Sequence, residues 1–141
     1  MTRLEIALVH EGFHRMESRL ESICMAFCRT LFGLDLSLRP LFPNDLQPLA
    51  AHLAAGLETA VRSLDDLQPV LVCAPALGLR LASHGVVPDD LHTVCAALLA
   101  TLQSELGDAF TEGVRAAWRR LFWIVAAATI GAMNEALPAA A

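Results

Sequence analysis

The sequence predicts a single all-α domain. Three observations carry that prediction: a composition that is 55% hydrophobic but only 6% aromatic, apolar residues recurring at three- and four-residue spacing, and Pro or Gly between the periodic runs. A chain of 141 residues can bury a core without disulfide or metal staples, so residues 1–141 are read as one domain. The net charge of -5 leaves no continuous basic face for phosphates, and Arg119-Arg120 is a local pair, so nucleic acid is not an expected partner.

The elements follow in order. Leu4, Leu8 and Phe13 mark a short amphipathic helix. Leu20, Ile23, Cys24, Phe27, Cys28 and Leu31 mark a second, with Gly33 as its expected C-terminal cap. Leu36 to Phe42 is a turn-like connector bounded by Pro40 and Pro43. From Asp45, the expected N-cap, the stripe Leu46, Leu49, Leu53, Leu57, Ala60, Val61, Leu64 predicts a long helix with Pro48 in its first turn. Pro69 starts a helix toward His84 that Pro75 should kink or interrupt. Gly85 and Pro88 precede the periodic run Leu91, Val94, Cys95, Leu98, Leu99, Leu102, Leu106, which Gly107 ends. Thr111 caps the last helix, whose inner face carries Val114, Trp118, Leu121, Phe122, Val125 and Thr129. A small-residue tail runs from Pro138 to Ala141.

The charged N-terminus does not read as a signal peptide, and the apolar run Leu121 to Met133 is shorter than the roughly 20 residues that span a bilayer. The expected location is cytoplasmic, with no transmembrane segment. Four cysteines, Cys24, Cys28, Cys73 and Cys95, lie in helical patterns and are expected as reduced, mostly buried thiols. Cys24 and Cys28 share a helix face, but without a nearby second pair they are weak evidence for zinc.

Several local strings resemble bacterial globins, closest to the single-domain and flavohaemoglobin-type branch. They are Phe27-Cys28-Arg29-Thr30-Leu31-Phe32, Arg39-Pro40-Leu41-Phe42, Ala60 to Leu67, Gly85-Val86 with Pro88, Leu106 to Thr111, and Ala117-Trp118. The resemblance implies a globin fold of six to seven helices around an apolar pocket that normally holds haem. It matches Phe42 to the phenylalanine that packs on the macrocycle, and Leu53 and Val94 to pocket-lining positions.

The same resemblance places the proximal histidine four residues before Gly85-Val86, where this chain has Leu81. Leucine has no lone pair and cannot ligate iron. The last-helix tyrosine that supports the proximal ligand is matched by Phe122, the second-helix tyrosine by Cys28 and the distal glutamine by Leu49. Reversible oxygen storage is therefore disfavoured. Iron could be reached only by His52, three residues after Leu49, by His84 in a remodelled corner, or by the Cys28 thiolate.

A haem-sized void of about 300 Å³ would cost several kcal/mol at about 24 cal/mol per Å³, so the pocket must collapse or be occupied. The leading expectation is a divergent globin-fold binding or sensor module for an apolar or tetrapyrrole small molecule. The alternative is a haem protein with unconventional ligation, serving gas sensing, electron transfer, or nitric oxide or peroxide chemistry. No Ser-His-Asp order, HExxH, phosphate loop or paired carboxylate supports an enzyme site independent of haem. Leu121-Phe122-Trp123-Ile124-Val125 is apolar around the whole helix, which predicts a homodimer through the last helix with membrane-surface contact as the runner-up.

Overall fold

The computed structural model describes residues 1–136. It contains six α-helices: α1 (Arg3–Met16), α2 (Leu20–Leu34), α3 (Gln47–Arg62), α4 (Gln68–Ser83), α5 (Asp90–Leu106) and α6 (Glu112–Ala136). Short 3-10 turns join several of them, and the described residues contain no strand. The tail from Pro138 lies outside the described residues.

Helix α1 begins with a capping box in which the Thr2 hydroxyl accepts from the Glu5 N–H while the Glu5 carboxylate accepts from the Thr2 N–H. Its buried face is Val9, Gly12, Phe13 and Met16, whereas Leu4 is exposed. Gly12 is small enough to let α1 lie on Trp118, since a Cβ there would stand 3.0 Å from the indole nitrogen. Helix α2 passes through the expected Gly33 cap and stops at Asp35, whose extended backbone ends the helix. The Asp35 carboxylate then accepts from the Ser37 N–H and starts the 3-10 turn Leu36–Leu41.

Asp45 accepts from the Gln47 N–H although Leu46 occupies the N-cap position, and Pro48 sits in the first turn as expected. Helix α3 ends at Arg62, leaving Leu64 buried in the following turn. Pro75 does not interrupt α4. Its ring is on the exposed side, so the missing N–H falls where water can serve the freed carbonyl. Gly107 ends α5 with φ 54°, and the Thr111 hydroxyl accepts from Val114 N–H at the start of α6.

Helix α6 is the centre of the bundle, packed by α1, α4 and α5. That accounts inside the chain for much of its all-round apolar character: Leu121 and Phe122 are buried, and Trp123, Ile124 and Val125 are half-buried. No helix among the described residues is long and apolar enough to cross a membrane.

Candidate functional site

The placement of α3 and α4 defines the site. Helix α3 leans on α2, whereas α4 packs on α6, and the two share no substantial interface among the described residues. The docking of α4 is set by Gly78, where a Cβ would stand 2.6 Å from the Thr129 carbonyl oxygen and 3.1 Å from Ala132 Cβ. Only glycine permits that approach.

The apolar interior divides accordingly. The main cluster surrounds Val9, Phe13, Trp118 and Leu121. A second is built from Phe27, Cys28, Leu31, Phe32, Leu38 and Ala97, with Phe42, Leu46, Leu49, Leu53, Val94 and Leu98 packed against it. A third, Val86, Leu91 and Met133, receives Leu81, Ala82 and Ile130. Leu41 and Val94 touch both the second and third clusters. Leu41, Phe42, Leu46, Leu49, Leu53, Leu81, Val94 and Leu98 are all only half-buried. Contributed by the 36–42 corner, α3, α4 and α5, these residues mark out the candidate apolar cleft between α3 and α4.

Phe42 is fixed on the corner that precedes α3. Its ring lies 5.5 Å from that of Phe32, and the Arg39 guanidinium sits 5.1 Å from the Phe32 centroid. Arg39 also donates to the carbonyls of Phe42, Pro43 and Asn44 at 3.3, 3.0 and 3.1 Å. One guanidinium thus fixes the backbone of the corner that presents Phe42.

The C-terminal turn of α4 shows what Leu81 does. Gly85 has φ 91°, its N–H donates to Ala82 O at 3.0 Å, and Val86 N–H donates to Leu81 O at 3.0 Å. This is a glycine-terminated helix end, and Leu81 supplies the apolar contact that accompanies it by packing against the Val86 cluster. His84 is the C-cap, its N–H also directed to Leu81 O at 3.1 Å, and its side chain is exposed.

The remaining candidate residues separate. His52 is exposed on α3 between Leu49 and Leu53. Cys28 is fully buried in the second cluster, and desolvation pushes its thiol up despite the lowering influence of Arg29 and Arg39. A protonated thiol is a poor metal ligand. Phe122 is not in the Leu81 cluster: it belongs to the main core, with its ring 5.7 Å from Trp118. No group of three or more His, Cys, Asp or Glu residues is placed to hold a metal among the described residues. Of the four thiols, Cys24, Cys28 and Cys95 are buried and Cys73 is exposed.

Sequence reasoning missed Arg39, Leu41, Leu98 and Gly78 as parts of the site. The Arg39-Pro40 string was visible, but its three carbonyl partners become apparent only once the corner is folded. Two open surface depressions of about 450 and 470 Å³ lie elsewhere, on α1 with α6 and on α1 with α3, and touch none of the cleft residues.

Six α-helices without a strand among the described residues, with half-buried apolar residues facing one another from the third helix, the fourth helix and the corner before them, define an all-α domain of the globin type. The sequence model of the family described as Globin matches residues 42–129, more than half of the chain, and the chain belongs to the globin family. It is 35% identical over 71 residues to a neuroglobin of Tetraodon nigroviridis, a match spanning 50% of this chain and 45% of that relative. The fold is similar to that of a bacterial globin from Campylobacter jejuni, with TM-score 0.84, 18% identity, and 95% of this chain and 97% of that one covered. It is equally similar to a protein described as a hexacoordinated haem protein from an anhydrobiotic tardigrade, with TM-score 0.85, 18% identity, and 95% and 96% coverage.

Proposed function

We propose that this globin-fold chain is a binding or sensor module that takes a flat, apolar ligand of tetrapyrrole size between α3 and α4 without a bond from α4 to a metal. The observation that carries this reading is the role of Leu81: the position from which the resemblance would present a ligating histidine is built into the turn that ends α4.

Haem, the group the family implies, fits the residues present only in part. The half-buried leucines, Val94 and Phe42 suit the faces of a macrocycle. The donor set does not suit its iron from α4, because Leu81 offers no lone pair, burial raises the Cys28 thiol, and the imidazoles of His84 and His52 are both exposed. Without proximal ligation, an oxygen-storage role has no support in the residues of this cleft.

Parallel titration with haem and with metal-free protoporphyrin tests the reading. Comparable affinity for both, with competition between them, is expected. Failure to bind either would overturn it. So would a sharp six-coordinate haem spectrum that collapses on His52→Ala or His84→Ala, because iron ligation would then be the main attachment. That outcome would establish the second reading, an unconventionally ligated haem globin for gas sensing, electron transfer, or nitric oxide or peroxide chemistry. The exposed place of His52 between two cleft leucines favours it over ligation by His84.

Self-association through α6, expected from the sequence, is the alternative to a dimer through any other face, and native mass decides it. Trp123, Ile124 and Val125 are the half-buried residues available to such an interface. Trp123 is also engaged inside the chain, with its ring 4.9 Å from that of His92. A native mass that falls to monomer on Trp123→Ala would support an interface there.

A further inference from the structure

We infer that the outer face of α4 is the surface on which a second copy of this chain docks, antiparallel and with the dyad beside Cys73. Helix α4 is apolar on opposite sides. Ala74 and Gly78 are buried, with Gly78 in close approach to Thr129 and Ala132 of α6, while Leu81 packs against the Val86, Leu91 and Met133 cluster. The outward stripe is Pro69, Val72, Cys73, Ala76 and Leu79, all exposed and recurring at the three- and four-residue spacing of one helix face. Val72 is 72% exposed and Leu79 53%, the levels expected of charged residues on a wet helix face rather than of an apolar stripe. Among the residues of α4, Arg80 is the only one charged at neutral pH.

Charge selects the occupant and its direction. Asp65 and Asp66 lie exposed just ahead of α4, and Arg80 lies exposed near its end with no carboxylate partner among the described residues. A parallel copy would set acid against acid and Arg80 against Arg80 of the partner subunit. An antiparallel copy sets Asp66 opposite Arg80 of the partner subunit, twice. Asp66 is seven residues before Cys73 and Arg80 seven after it, so the register that pairs the charges puts the two-fold axis at Cys73. The ion pairs then stand about 10 Å to either side of the axis along the helix. A single helix face supplies less than the roughly 800 Å² per partner of a standard interface, so the dimer is reversible and concentration-dependent.

The test uses the full chain in sedimentation velocity across a wide concentration range, together with a short bis-maleimide cross-linker. Because Cys24, Cys28 and Cys95 are buried, the reagent reads Cys73. The expected results are a monomer–dimer equilibrium, a cross-linked dimer that disappears with Cys73→Ser, and at least a tenfold weakening by Val72→Glu or Leu79→Glu. Both glutamates replace exposed residues, and unchanged circular dichroism shows that the fold is retained. Arg80→Asp, which sets a carboxylate against Asp66 of the partner subunit, weakens the dimer, and high salt weakens the parent dimer in the same direction. A chain that stays monomeric at the highest concentrations overturns the inference. A dimer that ignores Val72→Glu and is lost on Trp123→Ala also overturns it and assigns the interface to α6. A dimer that does not cross-link at Cys73 rules out the antiparallel register.

Discussion

Leu81 and Val86 are joined through both backbone and side chain: the Val86 N–H donates to Leu81 O at 3.0 Å, and the Leu81 side chain packs against the cluster that contains Val86. The residue that stands where the resemblance expects a ligating histidine is therefore part of a helix terminus. Removing the side chain loosens this end without emptying a fully buried position. Leu81→Ala is expected to cost about 1–2 kcal/mol, below the usual range for a fully buried leucine, and urea unfolding measures it. Leu81→His keeps the backbone register and places an imidazole on the cleft side of α4. Haem added to that variant should give an imidazole-ligated spectrum absent from the parent chain.

Gly78 and Gly56 make opposite predictions for the same substitution. At Gly78 a methyl group would meet the Thr129 carbonyl oxygen at 2.6 Å, and a backbone carbonyl in the middle of α6 has little room to retreat. Gly78→Ala should push α4 off α6 and cost about 1–3 kcal/mol, the range for overpacking. At Gly56, in the exposed interior of α3, a Cβ meets nothing within 4 Å. Gly56→Ala should raise stability by up to about 1 kcal/mol through helix propensity. Thermal melts of the two variants should shift in opposite directions.

Arg39 predicts a separation between ligand affinity and folding. Its guanidinium serves three carbonyls of the corner and the face of Phe32, but the side chain is not in the main core. Arg39→Lys keeps the charge and loses the planar fork, so it should free the Phe42 corner. The expected result is at least a severalfold weaker protoporphyrin affinity with an unfolding midpoint close to the parent's, read by fluorescence titration and denaturant melts.

Helix positions were legible because their causes are local. Periodic leucines, Pro48 in a first turn, Gly107 with its positive φ and Thr111 at a cap each act within a few residues. Leu81 drew attention because the resemblance expects a ligand four residues before Gly85-Val86. Its structural use was not legible, because the turn it completes depends on where Met133 and Leu91 arrive from other helices. The all-round apolar character of α6 read as an interface, when much of it reflects a central helix packed by three others. On α4, Pro75 drew attention to a break that does not occur, while the exposed Val72 and Leu79 became visible only once Gly78 had fixed which side faces α6.

The thiols give a prediction in pH. Burial pushes Cys24 up to about 11, with further upward influence from Cys28 and Glu21, and burial also raises Cys28 and Cys95. Folding therefore holds these protons more tightly than the unfolded chain, whose thiols ionise near 9. Between those values the unfolded state binds fewer protons than the folded one, so stability must fall as pH rises. It is fully present below about pH 9 and is progressively lost toward pH 11. Denaturant midpoints measured from pH 8 upward should decline over that window, and substituting Ser for Cys24 should flatten the decline. Thiol labelling gives the complementary reading: at pH 8 the exposed Cys73 reacts first, and the other three react at the rate of opening. Rapid labelling of all four in native buffer would show that burial of these thiols does not persist in solution.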